Sequence, residues 1–234
     1  RSAIIAIILS SSFGLYTWMN NPESQMVAVT VKAGSKAEMT LPDGTFVHLN
    51  AATNLEYDVN NSKQRLVKLS GEAFFDVAKN PDCPFKVIIN DLQIEVVGTS
   101  FNVKTYKKDI VETSLLSGRI RISGGSLPHE YTLSPGQKAT YSAMDKTLRI
   151  SKADAHVEAG WRDNYLIFES TPLIDVIAQI ERWYGVEIRL HHKQIAQDLL
   201  SGSFRNESIQ NVIRSLSIQY GFKYEIHKDI ITIY

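Results

Sequence analysis

Two stretches near the carboxyl end decide how this chain is read: Phe168–Val186, FESTPLIDVIAQIERWYGV, and Phe204–Phe222, FRNESIQNVIRSLSIQYGF. They align without a gap, and Phe168, Val176, Ile177, Tyr184 and Gly185 recur as Phe204, Val212, Ile213, Tyr220 and Gly221. In the first copy Leu173, Val176, Ile177, Ile180 and Tyr184 fall on one face of a helix, because residues three and four apart are neighbours there. Thr171 is the expected N-cap, Pro172 the first turn and Gly185 the stop. In the second copy Ile209, Val212, Ile213, Leu216 and Tyr220 form the stripe, with Asn206 or Ser208 near the start and Gly221 at the end. The flanking runs are strand-like: Tyr165–Phe168 and Val186–Leu190, then Ser201–Phe204 and Phe222–Ile226, with Ile230–Ile233 last. Neither copy can bury its apolar helix face alone. The pair is therefore expected to pack as one small α/β domain of two βαβ repeats, residues 161–234.

Residues 27–155 follow a different rule. Thr45–Leu49 and Leu92–Val96 alternate apolar with polar, and Phe85–Ile89, Phe101–Tyr106, Ile110–Leu115 and Arg119–Ser123 are further beta-type runs. Turn chemistry separates them at Pro42-Asp43-Gly44, Gly71, Asn90-Asp91, Gly118 and Pro135-Gly136. A strand roughly every ten residues, without an amphipathic helix, predicts an all-β domain: sandwich, barrel or solenoid. The fold class is thus mainly β plus α/β.

The first residues form a third region. Ser2–Met19, SAIIAIILSSSFGLYTWM, carries no charge. As a helix it would extend about 27 Å, close to the ~30 Å hydrocarbon core of a bilayer. Tyr16 and Trp18 at one end suit a membrane interface, and Arg1 at the other suits the cytoplasmic side. Residues 1–19 are therefore expected to be a transmembrane anchor, cut short at its start, and Asn20-Asn21-Pro22 to end it.

The chain is 234 residues long, and its 25 Lys and Arg balance 25 Asp and Glu. With no basic stripe, nucleic acid is not an expected partner. The single cysteine, Cys83, excludes an internal disulfide and any cysteine-cluster metal site. Cys83 stands between Pro81 and Pro84, with no nearby base to make it a nucleophile.

Enzymatic chemistry finds little footing. None of the six histidines has zinc-type spacing, and His191 and His192, adjacent on a strand end, point to opposite faces. No nucleophile elbow, Walker loop or dinucleotide fingerprint occurs. No catalytic residue, metal site or cofactor is assigned. One place carries a chemical idea: in Val96-Val97-Gly98-Thr99-Ser100-Phe101 a hydroxyl follows a glycine between two beta runs. A strained backbone would let the Thr99 hydroxyl attack the preceding carbonyl and form an ester that water cleaves. A bulge or tight turn explains the same residues.

Taken together, the motifs resemble the FecR family. They are Leu41-Pro-Asp-Gly-Thr45 with Val47–Ala51, Leu69-Ser-Gly-Glu-Ala-Phe-Phe-Asp-Val-Ala78, Pro84–Val87, Val97-Gly-Thr-Ser-Phe-Asn-Val103, Leu116-Ser-Gly-Arg119 and Leu133-Ser-Pro-Gly-Gln137. Trp161–Asp163, Arg182–Val186 and Ser201–Phe204 are similar to the C-terminal domain of Bacteroidetes-type members. The resemblance implies a single-pass inner-membrane anti-sigma factor with most of this chain in the periplasm. A cytoplasmic domain outside these residues would bind an extracytoplasmic-function (ECF) sigma factor. The signal would come from the N-terminal signalling domain of a TonB-dependent outer-membrane transporter, and regulated proteolysis would follow. Some members cleave themselves at a Gly-Thr bond, which maps to Gly98-Thr99.

Within that frame the α/β domain is the expected receiver. A partner strand can add to an open sheet edge, and Ile230, Ile231, Thr232 and Ile233 are the candidate edge, with an internal place in the sheet as the alternative. The rival reading is a periplasmic carbohydrate-binding or carbohydrate-active β protein, with Tyr57, Tyr106, Tyr131, Tyr141 and Trp161 as stacking platforms. A secretion-machine component, forming rings, is a third.

Overall fold

The computed structural model of the chain describes residues 25–59, 65–191 and 193–234. The expected anchor, Ser2–Met19, lies outside them, as does His192. Among the described residues no helix is long and apolar enough to cross a membrane.

Fourteen strands form two seven-stranded sheets. The first runs β1 (Met26–Val31), β4 (Thr53–Asp58), β5 (Arg65–Ser70), β7 (Phe85–Ile89), β8 (Leu92–Val96), β11 (Ile120–Gly124), β12 (Tyr131–Leu133). The second runs β14 (Thr147–Lys152), β13 (Gln137–Ser142), β10 (Ile110–Ser117), β9 (Ser100–Lys104), β6 (Glu72–Asp76), β3 (Phe46–Leu49), β2 (Ala37–Thr40). Pairing is antiparallel except between β5 and β7. Each sheet has two free edges, and apolar residues of both meet in one core, so the architecture is a sandwich rather than a closed barrel. Phe75 and Phe101 of the second sheet stack at 5.2 Å, and Phe75 meets Phe85 of the first at 5.8 Å. Alternation explains the layers: in β5, Arg65, Val67 and Leu69 are buried while Lys68 and Ser70 face solvent.

A short helix α1 (Ala155–Ala159), capped by Asp154, and a 3-10 turn (Gly160–Asp163) lead out of the sandwich. The C-terminal part follows as β15 (Tyr165–Pro172), α2 (Leu173–Tyr184), β16 (Glu187–Leu190), a 3-10 turn (193–197), β17 (Leu199–Arg205), α3 (Ile209–Tyr220), β18 (Tyr224–His227) and β19 (Ile230–Ile233). The repeats interlock. β15 pairs with β17 across copies, and β16, β19 and β18 make a second sheet in that order. Leu173, Val176, Ile177 and Ile180 of α2 share one core with Val212, Ile213 and Leu216 of α3.

Both helices end on a left-handed glycine, Gly185 and Gly221. Ser208 caps α3 through a bond from the Asn211 amide. The expected Thr171 cap is not formed: Pro172 occupies that position, and the Thr171 hydroxyl instead accepts from the Glu169 amide. The first amide of α2, Leu173, donates to the Asp198 carbonyl, so a neighbouring loop supplies what the side chain was expected to.

Candidate functional site

Gly98-Thr99 lies on the bend that carries the chain from β8 in one sheet to β9 in the other. Thr99 is only 3% exposed. Its carbonyl accepts from the Val77 amide at 3.0 Å. Its hydroxyl donates to the Arg119 carbonyl at 3.1 Å and accepts from the Arg119 amide at 3.4 Å. These backbone partners hold the hydroxyl but cannot take its proton as a general base would. Gly98 is not in the left-handed region of backbone conformation. It is a glycine because of close packing: an added Cβ would sit 2.9 Å from the Cα of Lys79.

The expected docking edge is corrected by the sheet order. Ile230–Ile233 is the central strand β19, flanked by β16 and β18, with Ile231 fully buried. An isoleucine run is suited to that central position, where both ladders and the core close on it. The outer side of β16 is capped from α2, because the Ile188 amide donates to Glu181 Oε1 at 2.7 Å. The outer side of β18 differs. The Tyr234 amide donates to the Lys223 carbonyl at 2.9 Å, which sets the register. Antiparallel alternation then turns the amides of Glu225 and His227 toward β19, and those of Tyr224 and Ile226 outward. β18 is thus the sheet edge whose backbone faces out.

A polar centre that the sequence reading did not anticipate lies where the sandwich meets the α/β part. Glu72, at 7% exposure, accepts from Asn50 Nδ2 at 2.7 Å and Asn102 Nδ2 at 2.9 Å. The Trp161 indole donates to Asn102 Oδ1 at 3.1 Å, and Trp161 packs with Phe74 and Ala159. Lys36 Nζ donates to the Trp161 carbonyl at 2.7 Å and to Asn164 Oδ1 at 3.0 Å, and lies 3.6 Å from the centre of the Trp183 ring. Lys36 is an exposed residue whose ammonium is engaged by these partners. Burial brings its pKa down to about 8, opposed in part by the charge of Glu72. Arg182 stacks at 4.2 Å over Tyr106, whose hydroxyl donates to the Ala51 carbonyl. Burial, reinforced by Glu72, pushes the Tyr106 phenol well up.

Further along the junction a cleft of about 630 Å³ is lined by both parts. Its charges are largely paired. Lys107 meets Asp175 at 2.7 Å, and Lys138 bridges Glu112 at 2.9 Å and Glu158 at 3.0 Å. Among the described residues no group of three His, Cys, Asp or Glu side chains is arranged for a metal ion.

One signal for this centre was present in the sequence. Glu72 opens a strand whose next three residues are apolar, and an acidic group buried there must be satisfied from inside. Its partners, from distant segments, were not visible. The aromatics considered as sugar platforms are occupied otherwise: Tyr141 and Trp161 are buried, and Tyr57 and Tyr131 pack against the sandwich core.

The arrangement is one of contacts between two parts, and known proteins share the fold. Residues 27–121 match the FecR protein family model and residues 165–233 the FecR C-terminal model. Two crystal structures, at 1.65 Å and 2.50 Å resolution, of a protein from Parabacteroides distasonis ATCC 8503 assigned as an anti-sigma factor are similar to this chain. Each is 30% identical with a TM-score of 0.80, covering 89% and 90% of this chain and 98% and 99% of the other. No curated protein matches. With two family models matched in order and a 30% identical relative covered almost end to end, the chain belongs to the FecR family.

Proposed function

We propose that this chain is the extracytoplasmic part of a membrane-anchored anti-sigma factor that relays a signal from a TonB-dependent outer-membrane transporter to an ECF sigma factor. The observation that carries the relay role is family membership over both parts, with an anti-sigma assignment on the relative. The transporter, the inner membrane and the periplasm enter through the family resemblance. In this reading the polypeptide works by contact, and no residue is assigned a catalytic role.

The α/β part is the receiver, and the outer edge of β18 is where a strand of the transporter's signalling domain would add. Backbone hydrogen bonds from Tyr224 and Ile226 would supply affinity, and the solvent-facing Glu225 and His227 specificity. Isothermal calorimetry with the N-terminal signalling domain of a TonB-dependent transporter from the same organism tests it. Ile226→Pro removes one outward amide and no bond to β19, and should weaken binding at least about tenfold. Unchanged affinity in a folded Ile226→Pro protein rules out this edge. Absence of any binding by the wild type rules out the receiver.

A further inference from the structure

The loop between β1 and β2 reaches across to the end of α2. The Gly34 amide donates to the Arg182 carbonyl at 2.8 Å. That carbonyl is in the last turn of the helix, where carbonyls have no partner inside the helix, so the loop completes the cap from outside. The two backbones touch. A Cβ on Gly34 would lie 3.2 Å from the Tyr184 carbonyl oxygen, and one on Gly185 would lie 3.1 Å from that of Ala33. Both glycines have positive φ, +78° and +69°, so close approach and torsion alike require them. Lys36, two residues on, places its ammonium on the Trp161 carbonyl, Asn164 and the Trp183 ring. A cation near a helix C-terminus also complements the helix dipole.

The strand that feeds this loop is weakly held. β1 is an edge strand paired with β4 alone, and of its residues only Val31 is buried. A strand with one ladder and one buried side chain is the kind of element that opens at low cost.

We propose that the β1–β2 loop is a latch: docked on the C-terminus of α2 it keeps β1 in the sandwich, and a partner that displaces α2 frees the loop and releases β1. Only the partner-driven step rests on the receiver reading. Other ties across the junction, among them Lys107 to Asp175, Arg182 to Tyr106 and Trp161 to Asn102, do not involve this loop.

Hydrogen–deuterium exchange on the whole chain tests the latch. Lys36→Met should speed exchange of the β1 amides about tenfold and leave β7 unchanged. Lys36→Arg, which keeps charge and donors, should bring β1 back toward wild type. Lys107→Met cuts a tie outside the loop and should leave β1 as it is. Equal β1 exchange in Lys36→Met and wild type overturns the latch. So does an equal rise in Lys107→Met, which would mean that the junction as a whole holds β1. Should Lys36→Met loosen β7 too, Asn164→Gly decides, because it removes an exposed acceptor of the ammonium and suits the left-handed backbone there: faster β1 exchange supports the latch, unchanged exchange overturns it. With the signalling domain added, binding without faster β1 exchange overturns the partner-driven step and leaves the receiver standing. Absence of binding removes the receiver and leaves the latch to the variants.

Discussion

The indole of Trp161 donates to Asn102 Oδ1 at 3.1 Å, and the same Asn102 donates through Nδ2 to Glu72. A residue at the exit of the sandwich is thus tied through one amide side chain to a carboxylate inside it. Asn50 fills the other oxygen of Glu72. Among the described residues no buried side-chain nitrogen or oxygen is left without a hydrogen bond, so any change here creates the first.

Glu72→Gln is isosteric but replaces one acceptor with a donor facing an Asn amide. Losing a bond to a buried charged group costs about 2–3 kcal/mol. For a chain of this size that is a fall in Tm of roughly 5–10 °C, read by differential scanning calorimetry. An unchanged Tm would mean that the asparagine amides had turned to accommodate it.

Leu216→Ala removes a side chain from the core that both repeats share. The expected cost is about 2–5 kcal/mol. The more telling outcome is where it appears: amides of α2, in the other copy, should lose protection together with those of α3. Loss confined to α3 would show that the copies fold independently.

The network around Lys138 predicts an acid response. Burial alone would raise the Glu112 carboxyl, but Lys138 and Lys104 outweigh it and hold it below its ordinary 4.5. A depressed carboxylate contributes stability that is present above its unfolded value and lost as pH falls through the folded one. Thermal melts should therefore decline as pH drops below about 4.5. Lys138→Met should flatten that decline, since it removes the main partner; the same slope in both proteins would exclude Glu112 as its source.

At Gly98-Thr99, self-cleavage, which the family resemblance implies for some members, requires the Thr99 hydroxyl to leave the Arg119 carbonyl before it can attack. Self-cleavage predicts two fragments on denaturing gels of purified protein that Thr99→Ala suppresses. One full-length band after long incubation removes this bond from the mechanism and leaves Thr99 as a packed, hydrogen-bonded link between the sheets.

Much of the secondary structure was legible because its causes are local. The stripe Leu173-Val176-Ile177-Ile180, the glycine stops and the alternation in Leu92–Val96 act over a few residues, and the elements fall close to where those signals place them. Thr171 shows the limit: its capping chemistry was sound, but Pro172 and the Asp198 carbonyl took over the helix start.

The sequence by itself determined two duplicated strand–helix–strand copies, a long β region before them and the family to which both belong. Tertiary structure alone decided that the β region is a sandwich, that Ile230–Ile233 is central, and that Lys36 meets Trp161 across 125 residues of chain. The reason is range. Periodicity and capping are fixed by neighbours along the chain, whereas strand order and a shared polar centre depend on which distant segments the folded core brings together.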